Sequence, residues 1–388
     1  MSAGDFRMDI ELTEEQELLR SSLQRLLRDA YAFDARRKIL ASEEGFSRDI
    51  WRSFAELGLL AAPFPEEVGG LGGGTLATMI LMQEFGRHLV VEPFLETVVL
   101  AGGLIADAGT SAQKNVHLSG IMAGEAIWTL AWSEGHSRYD FHNVGTTAVK
   151  RDGDYVLNGA KTAVVAAPWC DSLIVSARTS GGQRDRDGVS LFIVDRHAAN
   201  LHLQSFKTID GRQAAEIALN GVVVGSQQML GREGEGVTLL EACRDRAIAA
   251  LCAEAVGAMS ELNSATLDYS RTRKQFGSTL GSFQVLQHRM VDMFIALQES
   301  ISLMQHLNLA LAGHDADRSR IASGAKSKIG YAAKFVAEQA LQLHGGMGMT
   351  DELNIGHYFK RIAAFNIQFG DPAFHLARFA RQKQVAAA

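Results

Sequence analysis

The chain has 388 residues, of which 47% are hydrophobic and 21% charged, a composition typical of folded globular proteins and not of disordered ones. The formal net charge of −6 provides no basic field for nucleic acid or an anionic membrane surface, so we expect neither as a partner. No apolar run reaches the roughly 18–20 residues of a membrane span, and the length predicts two or three domains.

The first predicted domain, residues 1–123, has a helical pattern. Thr13 and Gln16 have the spacing of a capping box, in which each side chain satisfies a backbone N–H of the other residue. The glycines between residues 69 and 74 follow no β-run and lack the Gly-x-Gly-x-x-Gly spacing, which favours a plain connection over a nucleotide-binding loop.

The second predicted domain, residues 124–232, has a strand pattern. Short β-branched or apolar runs alternate with turns, and a polar loop spans residues 181–188. The strands follow one another without intervening helices, which predicts an antiparallel sheet or small barrel. The predicted strands are Thr146–Val149, Leu173–Ala177, Leu191–Val194 and Ile217–Val224.

The third predicted domain, residues 233–388, is helical and resembles a four-helix bundle. One stripe of apolar residues recurs at three- and four-residue steps, which we interpret as core. Its members are Leu286, Met290, Phe294, Leu297, Ile301 and Met304. The fold class expected from the whole chain is therefore α+β and mostly α.

The three cysteines, Cys170, Cys243 and Cys252, lack the spacing of a disulfide framework or a metal site. Cys243 and Cys252 lie in a helical pattern, where cysteine usually serves as buried apolar filler. We therefore expect no metal and a reducing compartment, by default the cytoplasm.

Two segments of the third domain carry the most specific signals. They are Tyr269-Ser-Arg-Thr-Arg-Lys-Gln-Phe-Gly277, followed by Gln284, and Gln342-Leu-His-Gly-Gly-Met-Gly-Met-Thr-Asp-Glu352. Together with Pro65-Glu-Glu-Val-Gly-Gly70, Glu84-Phe-Gly-Arg87 and Asn158-Gly-Ala-Lys161, in this order, they resemble the acyl-CoA dehydrogenase family over nearly the whole chain.

This resemblance implies FAD as cofactor and assigns residues to it. Arg273 and Gln275 are expected to reach the diphosphate and adenosine end, with Phe276 packing beside them and Gln284 nearby, since arginine's fixed fork of donors suits phosphate oxygens. Gln342, Gly345, Gly346 and Gly348 are expected to approach the same dinucleotide, usually from a neighbouring subunit, because glycine has no Cβ in the way.

In the second domain, Ser133 stands where the family commonly has Thr-Glu-Pro beside the flavin ring. A hydroxyl or backbone N–H there can hydrogen-bond the flavin. The sequence departs from the family further on, because Ala163-Val-Val165 replaces the common Trp-Ile-Thr. The hydroxyl expected near the flavin N5 is therefore absent at Val165.

The family reaction also needs a carboxylate that removes the α-proton of the thioester. Its usual Glu corresponds to Phe369 in Gln368-Phe-Gly-Asp371, and the alternative position used by other members corresponds to Ala247. Asp371 is the nearest remaining carboxylate, either as the catalytic base or as a structural or flavin-contacting residue.

The departure at Phe369 points to a subfamily. Three segments resemble the small subunit of pimeloyl-CoA dehydrogenase-type enzymes, which pair with a larger homologous chain: Gly345–Glu352, His357-Tyr-Phe-Lys360, and Phe369-Gly-Asp371 with His375-Leu-Ala-Arg378. The leading hypothesis is an FAD-dependent acyl-CoA dehydrogenase, as homo-oligomer or with such a partner, that passes electrons to an electron-transfer flavoprotein. The alternatives are a non-catalytic scaffold that holds FAD, and a flavin oxidase or monooxygenase.

Overall fold

The computed structural model describes residues 12–386, and side chains up to residue 382. Eleven α-helices lie in this part of the chain, with a π-helix at Leu95–Gly102 between the fourth and fifth. They are α1 Glu14–Ala30, α2 Phe33–Ala41, α3 Arg48–Glu56, α4 Gly74–His88, α5 Gly103–Ala108, α6 Ser111–Met122, α7 Gly236–Thr272, α8 Gln284–Ala312, α9 Arg318–His344, α10 Ile355–Ile367 and α11 Pro372–Ala386.

Eight strands within residues 12–386 form one sheet, and two short ones form a hairpin. The sheet strands are β1 Trp128–Ala131, β2 Thr147–Arg151, β3 Asp154–Val165, β4 Ser172–Arg178, β5 Val189–Asp195, β6 Leu201–Lys207, β7 Gln213–Val224 and β8 Met229–Leu230; the hairpin strands are β9 Lys274–Gln275 and β10 Ser278–Thr279. The predicted fold class is confirmed, with helices, then a sheet, then helices.

The sheet runs in the order β6-β7-β3-β2-β4-β5-β8, and β1 pairs with β4. All neighbours are antiparallel except β1–β4, which pairs Trp128 with Ser172, and the single contact of Thr147 with Arg178 between β2 and β4. The four predicted strands are β2, β4, β5 and β7, and the polar loop at residues 181–188 joins β4 to β5 as expected.

Contacts divide the chain into two compact units that interleave along the sequence. Of the described residues, the first contains 12–34, 75–90 and 248–386, and the second contains 35–74 and 91–247. The division into domains at residues 123 and 232 stays a prediction. None of the helices in the described chain combines the length and hydropathy needed to cross a bilayer.

In the first unit, two glycines let α4 and α7 pack backbone to backbone. A Cβ on Gly86 would lie 1.9 Å from the Glu254 carbonyl oxygen, and one on Gly257 would lie 1.9 Å from that of Gln83. Helix α1 begins with the predicted capping box at Thr13 and Gln16. The side chain of Gln24, also on α1, donates a hydrogen bond to the buried carboxylate of Glu84 on α4 at 2.9 Å.

The predicted apolar stripe on α8 is only partly core. Leu297 and Met304 are buried, but Phe294 is 55% exposed, and Val291 and Ile295 beside it are also exposed. The second half of α8 therefore packs within the chain, whereas its first half presents apolar side chains to solvent. Cys243 and Cys252 are fully buried, as predicted for apolar filler.

A buried ion pair joins α7 to α10 in the first unit. Arg361 Nε donates to Glu254 at 2.7 Å and a second guanidinium nitrogen contacts the other carboxylate oxygen, with both residues under 5% exposed. Removing one partner leaves an uncompensated buried charge, which costs about 3–5 kcal/mol.

We therefore expect Glu254→Ala to lower the free energy of unfolding by about 3–5 kcal/mol, measured by urea denaturation. Glu338→Ala is the matched control, because Glu338 lies 3.7 Å from Lys334 on an exposed face and should change stability by under about 0.5 kcal/mol. Equal effects of the two substitutions would contradict this account of the core.

Candidate functional site

The α7–α8 connection presents the predicted diphosphate-binding residues. Strands β9 and β10 form a tight hairpin with Phe276 and Gly277 at its tip, both with positive φ, +53° and +81°. Phe276 is 91% exposed, an unusual position for a phenylalanine. Among residues 12–386, the side chains of Arg273, Gln275 and Gln284 have no hydrogen-bond or ion-pair partner, so their donors are available to a ligand.

The α9–α10 connection adjoins this hairpin. The His344 ring at the end of α9 stacks on Tyr269 of α7, with centroids 4.3 Å apart, and Tyr269 lies one turn before Arg273. The predicted glycine-rich segment follows directly. Gln342, Gly345 and Gly346 are exposed and Gly348 is buried.

Glycine is required at Gly345, where φ is +60° and ψ −144°. A Cβ at Gly345 or Gly346 would meet nothing within 4 Å, so the backbone there faces open space. One end of the first unit therefore combines three features: side-chain donors without a partner, the exposed ring of Phe276, and the bare backbone of Gly345 and Gly346. These features fit the diphosphate and adenosine of FAD, and the individual contacts stay predictions.

Ser133 lies in the second unit, in the loop that follows β1. The residue is half-buried, its carbonyl accepts a hydrogen bond from the Thr162 N–H at 2.9 Å, and its hydroxyl has no partner among the described residues. The loop is thereby fixed to β3 while the hydroxyl stays available. This geometry fits the flavin contact expected of Ser133.

A buried ion pair beside Ser133 was missed in the sequence. Lys161 of β3 donates to Glu134 at 2.6 Å and to the Ser176 hydroxyl at 3.0 Å. The second Glu134 oxygen accepts from the Gly145 N–H at 2.8 Å. Sequence patterns contained both residues but no signal that paired them, since 27 positions separate them.

The electrostatics of the pair follow from burial. Burial acts to raise the pKa of Glu134, but Lys161 and the backbone donors outweigh it, so that this pKa is lowered. Burial lowers the pKa of Lys161 to about 8, although Glu134 opposes the shift. The pair ties the Ser133 loop to the sheet.

The departure at Ala163–Val165 coincides with a bulge in β3. The register with β7 shifts between Lys161 and Val164, and Ala163 has a φ of +51°. Glu216 of β7 holds the bulge by accepting from the Thr162 hydroxyl at 2.7 Å and the Ala163 N–H at 3.2 Å. The backbone is thus fixed where the family's aromatic and hydroxyl side chains are absent.

The turn between α10 and α11 contains Phe369, which the sequence predicts to occupy the position of the family's Glu. Phe369 is buried and has a φ of +56°, and its carbonyl accepts a hydrogen bond from His375 Nε2 at 3.0 Å. Asp371 precedes Pro372, and its Oδ1 accepts from the Phe374 N–H at 2.8 Å. Asp371 therefore acts as the N-cap of α11, with proline at the first helical position.

The alternative base position, Ala247 of α7, is fully buried in the second unit. Asp245, two residues earlier, is buried and lies 4.0 Å from Arg244 of the same helix. Neither Ala247 nor Phe369 has a group that accepts a proton. Whether Asp371 acts as a base stays a prediction.

The chain thus combines helices, a sheet with a fixed serine loop, and further helices with an exposed hairpin between α7 and α8, an order typical of a flavoprotein dehydrogenase fold. The sequence matches the acyl-CoA dehydrogenase N-terminal domain over residues 13–125, the middle domain over 129–222 and the C-terminal domain over 234–383. The chain belongs to the acyl-CoA dehydrogenase family, and its cofactor is FAD.

Relatives cover nearly the whole chain. A probable acyl-CoA dehydrogenase, YngJ of Bacillus subtilis, is 28% identical over 97% of this chain and 99% of its own length. The solved structure of the Tcur3481-Tcur3483 steroid ACAD G363A variant is 29% identical over 97% of this chain and 99% of its own, with a TM-score of 0.87. A chain of the ChsE4-ChsE5 complex of Mycobacterium tuberculosis is 24% identical over 97% of this chain and 99% of its own, with a TM-score of 0.87.

We predict that FAD retention depends on Arg273. Arg273→Ala removes a charge-assisted phosphate contact and should weaken FAD binding by about 2–4 kcal/mol, measured by flavin fluorescence during titration. Arg271→Ala is the control, since Arg271 is equally exposed but lies 3.4 Å from Asp268 of its own helix. Full flavin occupancy of Arg273→Ala at low FAD concentration would refute the assignment.

Proposed function

We propose that this chain is the FAD-binding subunit of an acyl-CoA dehydrogenase whose proton-accepting carboxylate comes from a homologous partner chain. FAD, when bound, supplies the acceptor for the hydride that leaves the β-carbon. The chain's residues hold the cofactor and form the wall of the acyl site. The observation that carries the proposal is Phe369, which stands where the family has its Glu.

The role of Asp371 supports this proposal. A catalytic base must turn a free carboxylate oxygen toward the α-carbon of the substrate. Oδ1 of Asp371 instead accepts the Phe374 N–H at 2.8 Å, which fixes the carboxylate at the start of α11. Replacing this cap would also cost stability, about 1 kcal/mol for a typical N-cap.

We also propose the acyl group, the electron acceptor and the compartment. Similarity to a steroid enzyme over nearly the full length supports a bulky acyl group on the thioester. An electron-transfer flavoprotein is the proposed acceptor. The chain's three cysteines are unpaired and buried, which supports a reducing compartment such as the cytoplasm.

We predict that the FAD-loaded chain alone dehydrogenates saturated acyl-CoA slowly or not at all. General-base positioning contributes about 10²–10⁴ in rate, so Phe369→Glu should raise flavin bleaching at least 10-fold in anaerobic stopped flow. Phe369→Gln is the matched control, because glutamine has nearly the shape of glutamate but no oxygen that accepts a proton. It should stay at the wild-type rate.

Asp371→Asn distinguishes the competing assignment. Asparagine is as good an N-cap as aspartate but takes no proton, so the fold and FAD binding should persist. Brisk turnover by the wild-type chain that Asp371→Asn abolishes would make Asp371 the base and end the partner proposal. Hydrogen peroxide production in air would instead support an oxidase.

We also propose that α8 forms the contact with a second chain. Its first half exposes Val285, Val291, Phe294 and Ile295. A groove of about 620 Å³, lined in part by Leu267 and Met290, lies along the same helix. Contiguous apolar surface of this kind marks an interface.

Phe294→Asp should therefore dissociate the assembly, because burying an unpaired carboxylate costs on the order of 2 kcal/mol or more. We expect a dimer or tetramer, alone or with the homologous chain, in sedimentation of the wild type and smaller species for the variant, with weaker FAD retention. Val116→Asp is the control, because the Val116 side chain of α6 is exposed. A flavin-loaded wild-type monomer at micromolar concentration would overturn the proposal.

A further inference from the structure

Lys326 of α9 is a fully buried lysine in the first unit. Its Nζ donates to the carbonyl of Phe365, in the last turn of α10, and lies 3.5 Å from the centroid of the Phe365 ring. Among residues 12–386, this carbonyl is the only hydrogen-bond acceptor of Lys326. An ammonium group there is attracted by the ring face and by the negative end of the helix.

Charged and titratable groups face Lys326 from three sides. Cys252 and Glu254 lie on α7, Arg361 lies on α10, and Asp371 lies in the turn after α10. Burial lowers the pKa of Lys326 to about 7, with Arg361 acting in the same direction, while Cys252, Glu254 and Asp371 oppose the shift. An apolar side chain of similar length would avoid the desolvation cost of the buried amino group. The chain nevertheless has a lysine at this position.

The carbonyl that Lys326 holds leads directly into a strained turn. Phe369 has a φ of +56°, and a Cβ on Gly370 would lie 2.5 Å from His375 Nε2. Backbone in such regions persists only where the surroundings hold it. His375 and the Asp371 cap hold the turn from the α11 side, and Lys326 holds the end of α10 that enters it.

We propose that Lys326 is a positioning residue for the acyl-CoA reaction, because its amino group holds the end of α10 and thereby sets where the turn at residues 368–371 presents residue 369. This inference rests on the proposed function, since the family's base position gives residue 369 its importance. Lys326 itself acts through the turn and takes no proton from the substrate.

Lys326 lowers the stability of the folded chain at neutral pH, although it fixes the end of α10. The unfolded chain keeps the ordinary lysine pKa near 10.4, so between this value and pH 7 it binds a proton that the folded chain does not. The stability of the wild type therefore rises with pH across that window. Lys326→Met should be more stable than the wild type at pH 7 and should lose this pH dependence.

The test compares Lys326→Met with Lys326→Gln in the FAD-loaded chain. Both are uncharged, but only glutamine can donate to the Phe365 carbonyl. Hydrogen–deuterium exchange of residues 366–374 should be at least ~10-fold faster in the Met variant and within ~3-fold of wild type in the Gln variant. Lys334→Met, on the exposed face of the same helix, should leave exchange unchanged.

A second readout is the change in flavin absorbance when acyl-CoA is added. Half-saturation should need at least ~5-fold more acyl-CoA in Lys326→Met, and near wild-type amounts in Lys326→Gln. If Lys326→Met is more stable but its exchange at residues 366–374 is unchanged, Lys326 has no positioning role. If the wild type shows no response to acyl-CoA, the proposed function fails, while the exchange result still decides the role of Lys326.

Discussion

The ion pair between Lys161 and Glu134 is the interaction on which the Ser133 loop of the second unit depends. An opposite charge and hydrogen-bond acceptors stabilise the buried Lys161 ammonium, and Glu134 and Ser176 supply them. Glu134 directly follows Ser133, and Thr162, which binds the Ser133 carbonyl, directly follows Lys161. One pair therefore fixes two segments that are remote in sequence at the position where the cofactor ring is expected.

The first unit uses the same device around its own site. Glu254 and Arg361 join α7 to α10, and Lys326 binds the last turn of α10. Buried ion pairs contribute little net stability compared with apolar packing, whereas breaking one is costly. Such groups are best explained as specifying one arrangement of helices, and here that arrangement determines how α10 enters the turn at Phe369.

Local patterns in the sequence predicted those parts of the structure that depend on local physics. The capping box at Thr13, four strands and the helical third domain follow from periodicity and side-chain chemistry. The pairing of Lys161 with Glu134 and the left-handed backbone at Phe369 have no local signature, because distant residues impose them. The stripe through Phe294 had the right period for core, but periodicity alone does not distinguish a buried apolar face from an exposed one.

The turn at Phe369 holds a bulky residue in a left-handed backbone conformation. A left-handed backbone at a residue with a side chain costs roughly 1–2 kcal/mol, and asparagine or glycine would adopt it more easily. Phenylalanine is nevertheless held there by His375, and Lys326 and the Asp371 cap fix the segments on either side. The left-handed backbone at residue 369 is therefore held from both sides by groups of the first unit, and the contacts that hold it need no carboxylate at that position.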